Sequence, residues 1–256
     1  MIHSDEVQNQ LSPPINPALE ACTTPYGRVY YELTERGYAF YPGITTVIGF
    51  APKPELEAWR NRIGHKAANK IGRDAGRRGD AIHDGAEKLL LNGQRPTLLP
   101  HYRAHGYPLY ESLEQFKTRL VASEQAIIHR TLKVCGRFDL LVRNTYEVSY
   151  NLLDIKTSTR TWQSMSAKAR AQRQHHYFIQ LAIYWDALRK LGIDVRHATI
   201  YMAAENECTP LSLSWADVPS FLSEFHALRN EFLKSEKWLQ AVDHTQKTLD
   251  KVTLFS

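Results

Sequence analysis

Two short apolar runs, each interrupted by charge, constrain this chain more than any other feature. Gly136-Arg137-Phe138-Asp139 lies in a β-favouring stretch at residues 132–142, and Leu153-Asp154-Ile155-Lys156 lies in a second at residues 152–157. Both predict strands, and the polar connection at 144–151 makes a hairpin the economical pairing. On a strand, residues two apart share a face, so Asp154 and Lys156 point one way while Leu153 and Ile155 point the other. If the strands are neighbours, Asp139 comes close to Asp154. Two carboxylates meeting at the edge of an apolar sheet repel unless a cation sits between them, and oxygen ligands of this type suit Mg²⁺ or Mn²⁺. Taken alone, an Asp-x-Lys triplet fits a salt-bridged pair on an exposed strand face better than an active site.

The rest of the chain supplies the frame. The opening stretch to about Pro25 contains Pro13, Pro14 and Pro17 and reads as an irregular arm. Residues 28–33 and 37–41 predict a hairpin turning at 34–36, and 44–48 a short structured segment. Helical character is expected over 53–71 once past Pro54. Gly72, Gly76 and Gly79 punctuate the basic stretch, and a helix is expected at 80–91, stopped by Asn92-Gly93. Residues 94–108 read as a loop because of Pro96, Pro100 and Pro108. Further helices are expected at 109–122, 174–191 and 219–239, and a strand at 195–203. The order predicts an α/β (α+β) fold with a small mixed sheet flanked by helices. It is expected to be one domain over residues 1–256, with 1–78 a partly helical basic accessory region and about 79–203 the core.

Composition narrows the classes. The longest apolar runs fall far short of a membrane span, and the polar, acidic start MIHSDEVQNQ lacks the pattern of a secretory signal. An intracellular protein is expected, cytoplasmic or organellar, neither secreted nor membrane-bound. Cys22, Cys135 and Cys208 are odd in number and scattered, which argues against a disulfide framework or a Cys-rich metal cluster and for buried, reduced thiols. Lys plus Arg is 32 against 27 for Asp plus Glu, a net +5, so location matters more than amount. Arg60, Arg62, Lys66, Lys70, Arg73, Arg77 and Arg78 crowd one stretch that holds a single acid, Asp74, and residues 155–179 hold no acid at all. Such stretches attract phosphate backbones, or form solvated helix faces. Trp59, Trp162 and Tyr177 nearby could stack on bases or pack in the core.

His83 on the 80–91 helix and Glu124 just past the 109–122 helix add an imidazole and a carboxylate, both able to ligate a metal. Gly79-Asp80-Ala81-Ile82-His83, Ser123-Glu124, Gly136-Arg137-Phe138-Asp139, Leu153-Asp154-Ile155-Lys156-Thr157-Ser158 and Gln180-Leu181-Ala182-Ile183-Tyr184 follow one another in this order. The ordered set resembles the RecB-type branch of the PD-(D/E)XK nuclease superfamily, over about residues 44–188. Tyr41-Pro42-Gly43-Ile44-Thr45-Thr46-Val47-Ile48 is similar to the segment that opens the mitochondrial genome maintenance exonuclease and related phage exonucleases.

The resemblance implies a restriction-endonuclease-like core and a divalent-metal-dependent DNA nuclease, an exonuclease acting on ends or single strands. The alternatives are a non-cleaving DNA-binding or assembly module of a recombination or repair complex, and a structure-selective endonuclease. His83, Asp139, Asp154 and the Ile155 carbonyl are the implied ligands of one or two Mg²⁺ or Mn²⁺ ions, and Glu124, Asp139, Asp154 and Lys156 the implied catalytic set. Lys156 would position or deprotonate the attacking water, or neutralise charge on the phosphate. The seven cations named above, with Thr157, Ser158, Gln180 and Tyr184, are the implied DNA contacts. A recombination, replication or helicase partner fits the same picture. The four-cysteine iron–sulfur cluster of the CRISPR adaptation branch is not expected, because the cysteines to build it are missing.

Overall fold

The structure, a computed structural model, describes residues 19–145 and 148–253, with side chains to Lys251. Part of the irregular opening arm and part of the 144–151 connection lie outside the described residues. The chain begins with an antiparallel sheet of β1 (Glu20–Thr24), β2 (Gly27–Thr34) and β3 (Gly37–Pro42). The β2–β3 hairpin is as expected. Strand β1 corrects the irregular reading up to Pro25, because its short EACTT run carries no apolar alternation and gains its order by pairing with β2.

Three helices follow: α1 (Ile44–Ile48), α2 (Pro54–Ile63) and α3 (His65–Asn92). The stretch expected as one helix over 53–71 breaks at Gly64, whose φ of 86° lies in the left-handed region that glycine enters freely. Conversely, Gly72, Gly76 and Gly79 do not interrupt α3, which runs 28 residues to a left-handed Gly93. A mid-helix glycine costs about 1 kcal/mol relative to alanine, which weakens a helix without stopping it.

Helix α4 (Pro100–Leu113) corrects the loop expected at 94–108. Pro100 sits at the helix start, where no N–H is needed. Pro108 leaves the Ala104 carbonyl without its intrahelical donor, and the Asn206 main-chain N–H takes that carbonyl instead, at 2.7 Å. A strand, β4 (Leu120–His129), replaces the end of the helix expected at 109–122 and carries Glu124 within it.

The main sheet has the order β4-β5-β6-β7-β8, with β5 at Val134–Arg143, β6 at Tyr150–Thr157, β7 at Val195–Ala204 and β8 at Glu207–Leu213. The β5–β6 pair is the expected hairpin. β6 and β7 are parallel, which requires a crossover, and α5 (Ala167–Lys190) supplies it. β8 was not expected; its Pro210 is tolerated on an edge strand. The closing helix expected over 219–239 is two, α6 (Val218–Lys234) and α7 (Glu236–Thr253), because Ser235 turns extended and its Oγ accepts the Trp238 N–H.

Two apolar layers cover the main sheet. α1, α5 and α6 bury Val47, Leu181, Trp185, Phe225 and Phe232 against one face. α3 and α4 bury Ile82, Leu89, Leu109 and Tyr110 against the other. The architecture is thus a five-stranded mixed sheet flanked by helices, as the element order predicts. Cys135 is buried, but Cys22 and Cys208 are only half-buried, which corrects the expectation for those two.

Candidate active site

The site begins where β5 leaves β6. Their ladder runs only from Arg143 paired with Tyr150 to Leu140 paired with Leu153, whereas β6 stays paired with β7 as far as Thr157. Past Leu153, β6 therefore has main-chain groups facing a split. A buried N–H needs an acceptor, and Asp139 Oδ2 accepts the Ile155 N–H at 2.6 Å. The alternation of β5 slips at the same point: Phe138 joins the core under α5, while Leu140, two residues on, joins the core under α3 and α4. On β4 the residues paired to either side are Gln125 with Phe138 and Ser123 with Leu140, which sets Glu124 opposite Asp139. Glu124 has a φ of 49°, a strained value for a non-glycine residue, and this local kink aims its carboxylate into the split.

Helix α3 brings the third donor. His83 Nδ1 lies 3.5 Å from Glu124 Oε1 and 3.6 Å from Asp139 Oδ2. The ligand atoms of His83, Glu124 and Asp139 all lie within 4.8 Å of one another. One nitrogen and two carboxylates in that space fit a single divalent ion of the Mg²⁺ or Mn²⁺ type. Asp154, fully buried, stands beside this group with both oxygens engaged: Oδ2 by Lys156 Nζ at 2.6 Å, Oδ1 by the Gln180 amide at 3.4 Å. Ile155 is buried between Asp154 and Lys156.

The electrostatics follow from burial and crowding. Burial, then the Asp154 charge, push the Asp139 carboxyl up to about 7. Burial opposes the charge on His83, but Glu124, Asp139 and Asp154 outweigh it and raise the imidazole. Burial likewise opposes the Glu124 charge, and His83 and Arg137 outweigh it, so this carboxyl is held low. For Lys156, burial is overcome by Asp154 and Asp139, which hold the ammonium in its charged form. The Tyr177 ring lies under it, 5.7 Å from Nζ.

The predicted His83, Glu124, Asp139, Asp154 and Lys156 are therefore gathered in one cleft. Gln180 and Tyr184 line up on one face of α5 as expected, but both are buried, so they touch Asp154 and β5 rather than the surface. Tyr184 donates to the Arg137 carbonyl at 2.9 Å. Gly136 makes this approach possible, since a Cβ there would fall 2.6 Å from the Tyr184 ring. Arg137, whose Nε holds Glu124 Oε2 at 2.7 Å, was missed by the sequence reading although it stands inside the Gly136 to Asp139 motif.

The basic residues divide. Lys66, Lys70, Arg73 and Arg77 recur at helical spacing and form one exposed stripe on the first half of α3. Arg62 is exposed at the end of α2; Arg60 is half-buried and donates to Asn69 Oδ1 at 2.7 Å. Arg78 is half-buried and turned away from the stripe. Thr157 is half-buried beneath Gly79, and Ser158 is buried. Trp59, Trp162 and Tyr177 are each half-buried. Among the described residues, no helix is long and apolar enough to cross a membrane.

The model of the PD-(D/E)XK nuclease superfamily matches residues 98–253, a span that holds Glu124, Asp139, Asp154, Lys156 and Tyr184. Among solved structures, SSO0001 is similar with a TM-score of 0.38 and 15% identity, over 72% of this chain and 74% of its own. A protein from Eubacterium rectale, provisionally named an exonuclease, is similar with a TM-score of 0.40 and 12% identity, over 61% of this chain and 68% of its own. No curated protein matches the sequence.

Proposed function

Because the chain belongs to the PD-(D/E)XK nuclease superfamily, we propose that it is a divalent-metal-dependent DNA nuclease, and an exonuclease that acts on DNA ends or single strands. The observation that carries this reading is the meeting of His83, Glu124 and Asp139 at the split between β5 and β6, beside the Asp154–Lys156 pair. His83, Asp139 and Glu124 would hold the ion, with Asp154 beside them as a further carboxylate held by Gln180. A bound divalent cation polarises a phosphoryl oxygen and acidifies water.

The protein's own groups do the rest. Lys156, paired with Asp154 at 2.6 Å, would orient the attacking water and offset charge building on the phosphate. Arg137 steadies Glu124, and Gln180 steadies Asp154. The P–O bond to the leaving deoxyribose oxygen breaks as a P–O bond to the water oxygen forms; the water gives one proton to solvent and the leaving oxygen takes one from solvent to depart as a hydroxyl. The accessory region at 1–78, the catalytic core at about 79–203 and the cationic stripe of α3 as a clamp on the strand complete the proposal.

End-labelled single- and double-stranded DNA incubated with Mg²⁺ or Mn²⁺ tests it. Asp154→Ala and Lys156→Ala should each lower cleavage by about a thousandfold; variants that cut as well as the parent would end the proposed mechanism. A circular substrate left uncut supports exonuclease action, and one that is cut points to the endonuclease. Salt-sensitive binding with no metal-dependent product points to the non-cleaving module.

A further inference from the structure

Beyond the metal cleft, β6 carries the catalytic row onward: Asp154, Lys156, then Ser158. Building on the nuclease reading, we propose that Arg78, His105, Ser158 and Arg173 form a phosphate-binding subsite at the C-terminal end of β6, which holds a phosphate of the substrate strand next to the one being cleaved.

Three elements converge there. From α5, Arg173 Nη1 donates to Ser158 Oγ at 3.1 Å, and the same oxygen accepts the Arg160 N–H at 3.1 Å. From α3, Arg78 precedes Gly79, where a Cβ would lie 3.8 Å from Thr157 Oγ1. From α4, the His105 ring lies beside the Ser158 main chain and within the field of the Arg78 charge. The bond from Asn206 to the Ala104 carbonyl, freed by Pro108, pins this part of α4 to the end of the sheet.

Among the described residues no carboxylate pairs with the two arginines, although the Glu205 charge reaches His105. Arg78 and Arg173 are half-buried, and neither forms an ion pair among the described residues. Partly buried guanidinium groups ordinarily find a carboxylate. Arg78 Nε and both ring nitrogens of His105 are also shielded from solvent without a well-formed hydrogen bond. A buried guanidinium N–H left in this way calls for a polar partner. Two guanidinium forks and a hydroxyl match a phosphate's oxygens, and His105 backs the Arg78 fork as a positioning residue. Ser158 lies two positions after Lys156 and one residue past the end of β6, an extended rise of about 6.6 Å, close to the step between neighbouring phosphates of an extended strand.

The test is a binding cycle in EDTA, which separates it from cleavage. Fluorescence anisotropy would follow single-stranded oligonucleotides in three forms: unmodified, with neutral methylphosphonate linkages placed one at a time, and with terminal phosphate exchanged for hydroxyl. Arg78→Gln and Arg173→Gln should each weaken the unmodified strand about tenfold and reduce the salt slope by about 0.7. In the parent one neutral position should cost a similar factor, and in the variants that cost should vanish. Loss of the cost at an internal linkage identifies a backbone phosphate; at the terminus, an end phosphate. Arg78→Lys and Arg173→Lys, which keep charge but lose the fork, should fall between, and His105→Gln should weaken binding less than His105→Ala at unchanged melting temperature. The subsite is overturned if every neutral position costs the parent and the Gln variants alike, or if the affinity loss is the same at every salt concentration. A parent that binds with this coupling but cuts nothing in Mg²⁺ or Mn²⁺ would sink the nuclease reading and leave the subsite standing.

Discussion

The two halves of helix α3 are made for opposite purposes. Its first half buries only Ala68, whereas the second buries Ile82, Gly85, Ala86, Leu89 and Leu90. The first half carries the stripe of Lys66, Lys70, Arg73 and Arg77 along with Gly72 and Gly76; the second carries His83 into the candidate metal cleft. Burial stabilises one half, while the other gains little from packing and is weakened by its glycines. One continuous helix thus joins an anchored ligand to a thinly packed cationic arm.

The strongest way to break this contrast is to remove packing from each half. Leu89→Ala should destabilise the protein by about 2–5 kcal/mol, whereas Ile71→Ala, at a half-exposed position, should stay within about 0.5 kcal/mol. Equilibrium denaturation in urea measures both. Next, the charge: replacing Lys66, Lys70, Arg73 and Arg77 together by Gln should weaken single-strand binding on the order of a hundredfold at low salt while leaving the melting temperature nearly unchanged. A large stability loss would show that the stripe packs in the folded protein. Glycine gives the sharpest contrast of sign. At Gly85 a Cβ would fall 1.8 Å from the Tyr110 hydroxyl, so Gly85→Ala should cost about 1–3 kcal/mol. At Gly76 it would meet nothing within 4 Å, so Gly76→Ala should stabilise by about 0.5–1 kcal/mol.

The anchored half also sets the response to pH. A carboxyl raised to about 7 in the fold, against an ordinary value near 3.8, loses folded-state stability as pH rises between those values. A divalent ion held as proposed would reverse that loss by neutralising the carboxylate, and it would have to displace the Asp139 proton, and the His83 proton where present, to bind. The stabilisation by Mn²⁺ in a melting experiment should therefore be smallest at a pH of about 5.5 and largest at about 8. Asp139→Asn should flatten the difference.

Much of the cleft was legible in the sequence because its chemistry is local. Asp154 and Lys156 share a strand face by simple alternation, and Asp139 sits in the neighbouring strand of a hairpin. Glu124 was expected in the connection just past a helix and lies instead within strand β4. LVASEQAIIH contains good helix formers, and the left-handed residue at its centre interrupts the alternation that would have marked a strand. The α4 helix was hidden by Pro108, whose cost is met from outside the helix by Asn206, a contact no local rule predicts. Likewise the half-burial of Arg78 and its approach to His105 depend on how α3 crosses α4, which periodicity cannot supply. Gly64 shows the reverse failure: one residue in an otherwise helical run redirects the chain and creates the arm.

Mechanically, α3 is a cantilever whose fixed end is the buried half. Its thinly packed span is about 24 Å at 1.5 Å per residue, so an ångström of sway at the tip turns the root by only about 2°. A load on the cationic tip therefore barely tilts the His83 imidazole at the root.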